Sequence, residues 1–346
     1  MSNPFTIAFG KKPGKFVSRP IQTNNIIEDF TSETPASYVY MLTGVRGSGK
    51  TVMMTSIARE FSSMKDWVVL ELNPARDLLE GLAARLYDQK QLQHLFLEAK
   101  INLTSFGIGV SIEGASPVAD IEVAVSRMLK ALDKHNKRVL ITIDEVTNTE
   151  NMRIFVSAFQ IFLRQDLPVF LLMTGLYENI YELQNVDNLT FLYRAPKVFL
   201  EPLNYSAIRS AYQKVFDIDN EEAGHMADIV KGYPFAFQLL GYLYWNERSY
   251  NSLEDIMPEF DQYLSEYVYE KIWSEMSATD HEVAYAIASE NNIAIKDLRQ
   301  KIENMSSEKL SVYRERLKRK GILDTATYGH LSFLLPRFDE FVKNMR

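Results

Sequence analysis

Eight residues, Gly44-Val-Arg-Gly-Ser-Gly-Lys-Thr51, constrain this chain more than any other feature. They fit the pattern G-x-x-x-x-G-K-[ST]. Residues without a β-carbon let the backbone curl, so that successive N–H groups point inward at phosphate oxygens. Lys50 is then expected to reach the β- and γ-phosphates of a nucleotide, and the Thr51 hydroxyl to face Mg2+. Gly44, Val45, Arg46, Gly47, Ser48 and Gly49 complete the expected cradle. The context agrees: residues 37–43 (SYVYMLT) are a β-rich run that stops at Gly44, and residues 50–64 have helical spacing. A helix that starts at Lys50 adds its positive N-terminal end. The plain alternative is a glycine-rich turn between strand and helix with no ligand.

Up to about residue 203 the chain alternates strands with helices. After a polar lead-in broken by Pro4, Pro13, Gly14, Pro20 and Pro35, one helix is expected near residues 21–30. Further strands are expected at 67–72, 138–143, 169–174 and 198–200, and helices at 75–87, 119–134, 151–164 and 177–183. Residues 106–113 alternate around Gly107 and Gly109, which suggests a hairpin or edge strand. The runs at 138–143 (RVLITI) and 168–173 (PVFLLM) are nearly continuously apolar, as in strands buried on both faces of a parallel sheet. Alternating strands and helices imply such a sheet, covered on both sides. Beyond residue 203 the strand signal stops. Helices are expected at 206–216, 221–231 and 234–247, then a linker-like stretch at 249–258 and an amphipathic helix running to 274. Residues 276–346 change pattern again, to three helices and two short strands. The expected parts are therefore 1–203, 204–274 and 275–346.

Two strand ends supply candidate chemistry. Residues 139–145 (VLITIDE) place Asp144 where a parallel sheet binds ligands, at the carboxyl edge. Asp144 is expected to hold Mg2+, directly or through its water. Glu145 points differently and is a candidate base for a water attacking the γ-phosphate. Thr174 ends the 169–174 strand. If the 37–43 strand lies beside it and Asp144 one strand further out, Thr174 falls near the γ-phosphate and can sense it. The bland alternatives are a solvated acidic strand end and a threonine bonded to its own turn.

Composition removes other classes. There is no cysteine, so disulfides, thiolate catalysis and cysteine zinc sites are excluded, and the five histidines lack metal-ligand spacing. The first ten residues lack the layout of a signal peptide. No apolar run approaches the roughly 20 residues of a membrane helix, so a cytoplasmic protein with no membrane partner is expected. Net charge is −7; residues 276–346 carry a net of +2, which leaves −9 for the remainder. The aromatics Tyr242, Tyr244 and Trp245 fit a core better than a base-stacking platform.

Taken together, Walker A, an extra strand, Walker B with Glu145 and a polar residue at 174 resemble the additional-strand class of P-loop ATPases. Phe16-Val-Ser-Arg19 resembles the F-V-G-R box of AAA+ and STAND-type ATPases, with Ser18 in place of glycine. Tyr193-Arg-Ala-Pro196, before Leu200-Glu-Pro-Leu203, resembles the segment leading into their helical lid, and Gly232-Tyr-Pro234 resembles their G-x-P element. With the C-terminal pattern, the likeness is to the archaeal-type and initiator-like ATPases. The resemblance implies a three-layer α/β P-loop domain, an all-α lid and a C-terminal winged helix. It implies that Val17, Arg19 and Pro234 lie near the adenine, and that Arg194 acts as an arginine finger, in cis or across an oligomer interface. The departure is at Gly232-Tyr-Pro-Phe-Ala-Phe237, which lacks the arginine that AAA+ initiators usually carry at the start of a lid helix.

The function expected is an ATP-binding, Mg2+-dependent hydrolase that works as a nucleotide-gated switch. In one form the winged helix contacts double-stranded DNA through Arg314, Arg316, Lys318, Arg319 and Lys320. In the other, a STAND-like signalling or assembly switch, it binds protein and turnover is slow or absent. A small-molecule kinase fits poorly, because the lid is helical and no acceptor pocket is evident.

Overall fold

The computed structural model describes residues 2–8, 13–290, 292–302, 305–324 and 327–345. They group into two compact units.

One unit comprises Pro20–Thr43 and Met53–Phe199. Its helices are α1 (Pro20–Thr31), α2 (Lys50–Ser62, counted here from Met53), α3 (Leu78–Asp88), α4 (Gln93–Glu98), α5 (Ile121–Asp133), α6 (Glu150–Arg164) and α7 (Tyr177–Gln184). Its strands are β1 (Val39–Thr43), β2 (Trp67–Leu72), β3 (Arg138–Ile143), β4 (Val169–Gly175) and β5 (Lys197–Phe199). All pairings are parallel, in the order β2-β3-β4-β1-β5. This is the order anticipated for the loop-bearing strand, with β4 beside β1 and β3 one further out. Every residue of β4 is buried, as a strand covered on both faces requires.

Alternation along the strands sends side chains to two different layers. Met41, Ile141 and Leu171 join the core made with α3, α5 and α6. Phe170 goes to the opposite face, where it packs with Phe30 of α1 and with Trp67, itself against Phe61 of α2. Helix starts are set by short polar side chains that take up otherwise orphan N–H groups. Asp77 accepts from Glu80, Asp120 from Val123 and Thr149 from Met152.

The expected hairpin or edge strand at residues 106–113 is not formed. Thr104–Phe106 is a short 3-10 helix, and the segment beyond it pairs with no strand. Gly107, Gly109 and Gly114 have φ of 69°, 73° and 73°, so the alternation that resembled a strand marks left-handed turns. The loop is shaped instead by buried Asn102. Its amide donates to Ala115 O (2.9 Å), and its Oδ1 accepts from the backbone and hydroxyl of Thr104.

The other unit comprises Met1–Arg19, Gly44–Val52 and Leu200–Arg346. Its helices are α8 (Tyr205–Phe216), α9 (Asn220–Val230), α10 (Pro234–Glu247), α11 (Met257–Leu264) and α12 (Glu270–Ser274), the last two joined by a π-helical turn at Ser265–Tyr269. There follow α13 (Ala278–Ala288), β6 (Ile293–Ala294), α14 (Ile295–Lys301), α15 (Ser307–Arg319), β7 (Leu323–Asp324), β8 (His330–Phe333) and α16 (Phe338–Asn344). The three short strands are antiparallel in the order β6-β8-β7. The three helices and two strands expected after residue 276 are present. Two elements were not anticipated, the two-residue β6 and the terminal α16. In the β7–β8 turn, Thr325 and Ala326 lie outside the described residues.

A continuous apolar core links Tyr212, Phe237 and Tyr269 to Phe338. Tyr244 is buried in it, with Tyr242 and Trp245 packed against it, so these aromatics are core. The N-terminal segment is pinned to this core. Phe5 stacks on Phe216 and meets Phe237 edge-on, and a β-carbon at Gly241 would lie 2.5 Å from its ring. Gln238 of α10 donates to Lys15 O (2.7 Å) and accepts from the Thr6 amide. Among the described residues, no helix is long and apolar enough to cross a membrane.

Candidate functional site

The loop at residues 44–51 is shaped by its glycines and gripped by α10. Gly47 and Gly49 have φ of 72° and 87°, a region where a β-carbon is strained. Lys50 Nζ donates to the carbonyls of Gly44 and Val45, 3.0 Å to each. Tyr233, immediately before α10, donates its hydroxyl to Arg46 O (2.5 Å), and Phe235 N donates to Gly47 O (3.2 Å). A β-carbon at Gly47 would sit 2.2 Å from the Tyr233 hydroxyl and 3.0 Å from Phe235 Cβ. Burial pushes the Tyr233 phenol far above its ordinary range, so it stays a donor at any working pH. Ser48 is 2% exposed, and its hydroxyl has no hydrogen-bond partner among the described residues. An orphaned hydroxyl inside a glycine-rich loop, beside a lysine at the start of a helix, is the donor set that phosphate oxygens satisfy.

Two residues reach the loop from other parts of the same unit. Arg19 donates through Nη2 to Glu201 O (2.7 Å), while its Nη1 is 3.6 Å from the position of a β-carbon on Gly49. Burial lowers its pKa to about 10, which leaves it charged at neutral pH. Pro234 borders Gly49 as well, at 3.8 Å, and its place at the first turn of α10 suits a residue with no N–H. Val17 is partly buried against the core of this unit. Thus Val17, Arg19 and Pro234 share a unit with the loop, and Arg19 and Pro234 lie beside Gly49.

The acidic cluster belongs to the sheet unit. Asp144 follows Ile143 at the carboxyl end of β3, and Thr174 is the penultimate residue of β4. The Thr174 hydroxyl donates to Asp144 Oδ1, and the Glu145 amide donates to that same oxygen (3.1 Å) and to Thr174 Oγ1 (3.2 Å). Thr174 is fully buried, Asp144 half-buried and Glu145 exposed. Glu145 adopts φ of 54°, which turns it away from the line of β3. Sequence spacing put these three residues at one sheet edge, and the hydrogen bonds join them.

Arg194 is not brought to this cluster. It ends the 3-10 helix Asp187–Arg194 and is exposed, before the amino end of β5. Lys197, the first residue of β5, pairs with Met41. Arg194 therefore belongs to the amino edge of the sheet, and Asp144 to the carboxyl edge.

The C-terminal cations divide between interior and surface partners. Arg316 pairs with Asp280, whose side chain is 1% exposed, and donates to Ser277 Oγ (2.8 Å). Arg319 pairs with Glu315 (2.7 Å), and Lys320 donates to Glu275 O (3.3 Å). Arg314 is half-buried and Lys318 exposed.

Tyr233, Phe235 and Glu275 were not identified from sequence as loop neighbours. Glu275 receives the Arg46 guanidinium through Nη2 (2.7 Å) and Nε (3.3 Å), and Lys271 Nζ as well (3.3 Å). Burial raises the Glu275 carboxyl, yet the two cations hold it below its usual range. In the sequence Tyr233 and Phe235 stand out only as part of Gly232-Tyr-Pro-Phe-Ala-Phe237, and nothing local marks Glu275. Among the described residues no cluster of three or more His, Cys, Asp or Glu is arranged to hold a metal ion.

In sequence, Domain of unknown function (DUF8462) matches residues 266–342. No curated protein matches the chain. In structure, it is similar to a Walker-type ATPase of Pyrococcus abyssi, with a TM-score of 0.62 and 14% identity over 95% of this chain and 96% of that one. It is also similar to the Aeropyrum pernix ORC2 protein in its ADPNP–ADP complexes, with a TM-score of 0.56 and 13% identity over 94% and 91% of the two chains. The chain shares the fold of these two proteins.

Proposed function

We propose that this chain binds ATP with Mg2+ at residues 44–51 and hydrolyses it, as a nucleotide-gated switch. One observation carries the reading. β1 runs directly into the 44–51 loop, and the strand order sets Thr174 and Asp144 on the next two strands at the same carboxyl edge. The ORC2 protein of like fold was solved with ADPNP and ADP, which accords with this reading.

The roles follow from chemistry. Backbone N–H groups of residues 45–50 and the Ser48 hydroxyl bind phosphate oxygens, and Lys50 leaves its loop carbonyls for the β- and γ-phosphates. Thr51 and Asp144 are the Mg2+ residues; the ion, when bound, neutralises charge on the transferring phosphoryl group. Thr174 holds Asp144 and the Glu145 amide in place. Glu145, exposed and turned off the strand, orients a water for in-line attack and takes its proton. Val17, Arg19 and Pro234 line the nucleoside side. The amino-edge place of Arg194 favours action on a neighbouring copy over action in cis.

The parts of the switch are an ATPase domain (1–203), a lid (204–274) and a winged helix (275–346), working in the cytoplasm. DNA contact through Arg314, Arg316, Lys318, Arg319 and Lys320 is one output. The second reading, a STAND-like switch whose C-terminal module binds protein with slow or no turnover, is favoured by the pairing of Arg316 with buried Asp280, which takes one cation of the run away from phosphate. A band shift at low salt decides between them: salt-dependent duplex binding supports the first, and none supports the second. For hydrolysis, Glu145→Gln is expected to retain ATP and to lose about 10²–10⁴ in turnover. Unchanged turnover would remove Glu145 from the role of base.

A further inference from the structure

Arg46 lies inside the phosphate-binding loop, yet its guanidinium is engaged elsewhere. Glu275 takes it through two hydrogen bonds, and Tyr233 holds its carbonyl. A guanidinium pairs with a phosphate as well as with a carboxylate, since both suit its forked geometry. Glu275 is also where the loop meets the C-terminal helices. It sits between α12 and α13, and its carbonyl accepts from Lys320, just after α15. Two residues on, Ser277 caps α13 and, together with Asp280, holds Arg316 of α15.

We propose that Arg46 is shared between Glu275 and the γ-phosphate of bound ATP, so that ATP, unlike ADP, draws it off Glu275 and loosens the hold on α13 and α15. The proposal rests on the ATP reading above. ADP offers no γ-phosphate, so Arg46 returns to Glu275. Such a ligand shifts the molecule only by its differential interaction with the two arrangements, and the coupling is reciprocal. Removing the Glu275 carboxylate must therefore favour ATP over ADP, and removing the guanidinium must abolish the difference.

The test uses the full chain with Mg2+, ADP and a non-hydrolysable ATP analogue, read by calorimetry and by amide exchange. For Glu275→Gln, the analogue-to-ADP affinity ratio is expected to rise about three- to fivefold over wild type, the range of a partly exposed ion pair. For Arg46→Ala the ratio is expected to fall by a similar factor. Arg46→Lys, which keeps the charge without the fork, is expected to lie between. In wild type the analogue, and not ADP, should speed exchange at residues 271–280 and 307–320, and both variants should lose that distinction. Circular dichroism melts establish that the variants fold. If wild type binds both nucleotides and Lys50→Ala neither, while the Arg46 and Glu275 variants keep the wild-type ratio, the Arg46 proposal is overturned alone. If wild type binds neither nucleotide, the ATP reading is overturned and the proposal falls with it.

Discussion

Gly47→Ala concentrates the physics of the loop in one methyl group. Gly47 has φ of 72°, where a β-carbon costs about 1–2 kcal/mol. The new carbon would stand 2.2 Å from the Tyr233 hydroxyl and 2.8 Å from the ring carbon that bears it, so the ring must move. Moving it breaks the hydrogen bond to Arg46 O and strands a buried hydroxyl, which costs about 1–3 kcal/mol more. The expected loss is about 2–5 kcal/mol, a large part of a typical stability of about 5–15 kcal/mol. Urea unfolding measures it, with Tyr233→Phe as the second arm. That substitution alone should cost about 0.5–1.5 kcal/mol. In the Tyr233→Phe background, Gly47→Ala should cost about 1 kcal/mol less than in wild type, because the closest atom is gone and no hydrogen bond is left to break. A Gly47→Ala protein as stable as wild type, or one with the same loss in both backgrounds, would refute the reasoning.

Three further substitutions separate structure from chemistry. Arg316→Ala leaves the 1%-exposed Asp280 with Ser277 as its remaining partner among the described residues, and should lower stability by about 2 kcal/mol in urea unfolding, while Lys318→Ala changes it by less than about 0.5 kcal/mol. Thr174→Val keeps the volume and removes the hydroxyl that bonds Asp144 and the Glu145 amide. Under the proposed roles its steady-state turnover should fall about tenfold or more with little change in ATP affinity, since the substitution disturbs the placing of Asp144 and Glu145 and leaves residues 44–51 untouched.

What could be read from the sequence follows from the range of the forces involved. The 44–51 loop was legible because its conformation is dictated locally, by glycines and a following helix. Residues 138–143 and 169–174 were legible because strands buried on both faces must be apolar throughout. Asp144 and Thr174 could be placed at one edge because a parallel sheet aligns strand ends, and the register Ile143↔Met173 brings them level. The 106–113 segment misled because glycine alternation looks extended, whereas Gly107 and Gly109 are left-handed and the loop's shape depends on Asn102. Tyr233 and Glu275 were invisible for another reason. They meet Arg46 across 187 and 229 residues of chain, and a single tyrosine or glutamate carries no local mark of such a contact. The same holds for Arg316, whose place in a basic run suggested solvent or phosphate, while its partner is a buried carboxylate 36 residues upstream.

Nucleotide binding itself tests the central claim most directly. Calorimetric titration of the full chain with a non-hydrolysable ATP analogue and Mg2+ should give saturable one-to-one binding in wild type. In Lys50→Ala, which deletes the ammonium now resting on the Gly44 and Val45 carbonyls, binding should fall below detection with the fold intact by circular dichroism. Equal binding by both proteins, or by neither, would contradict the account.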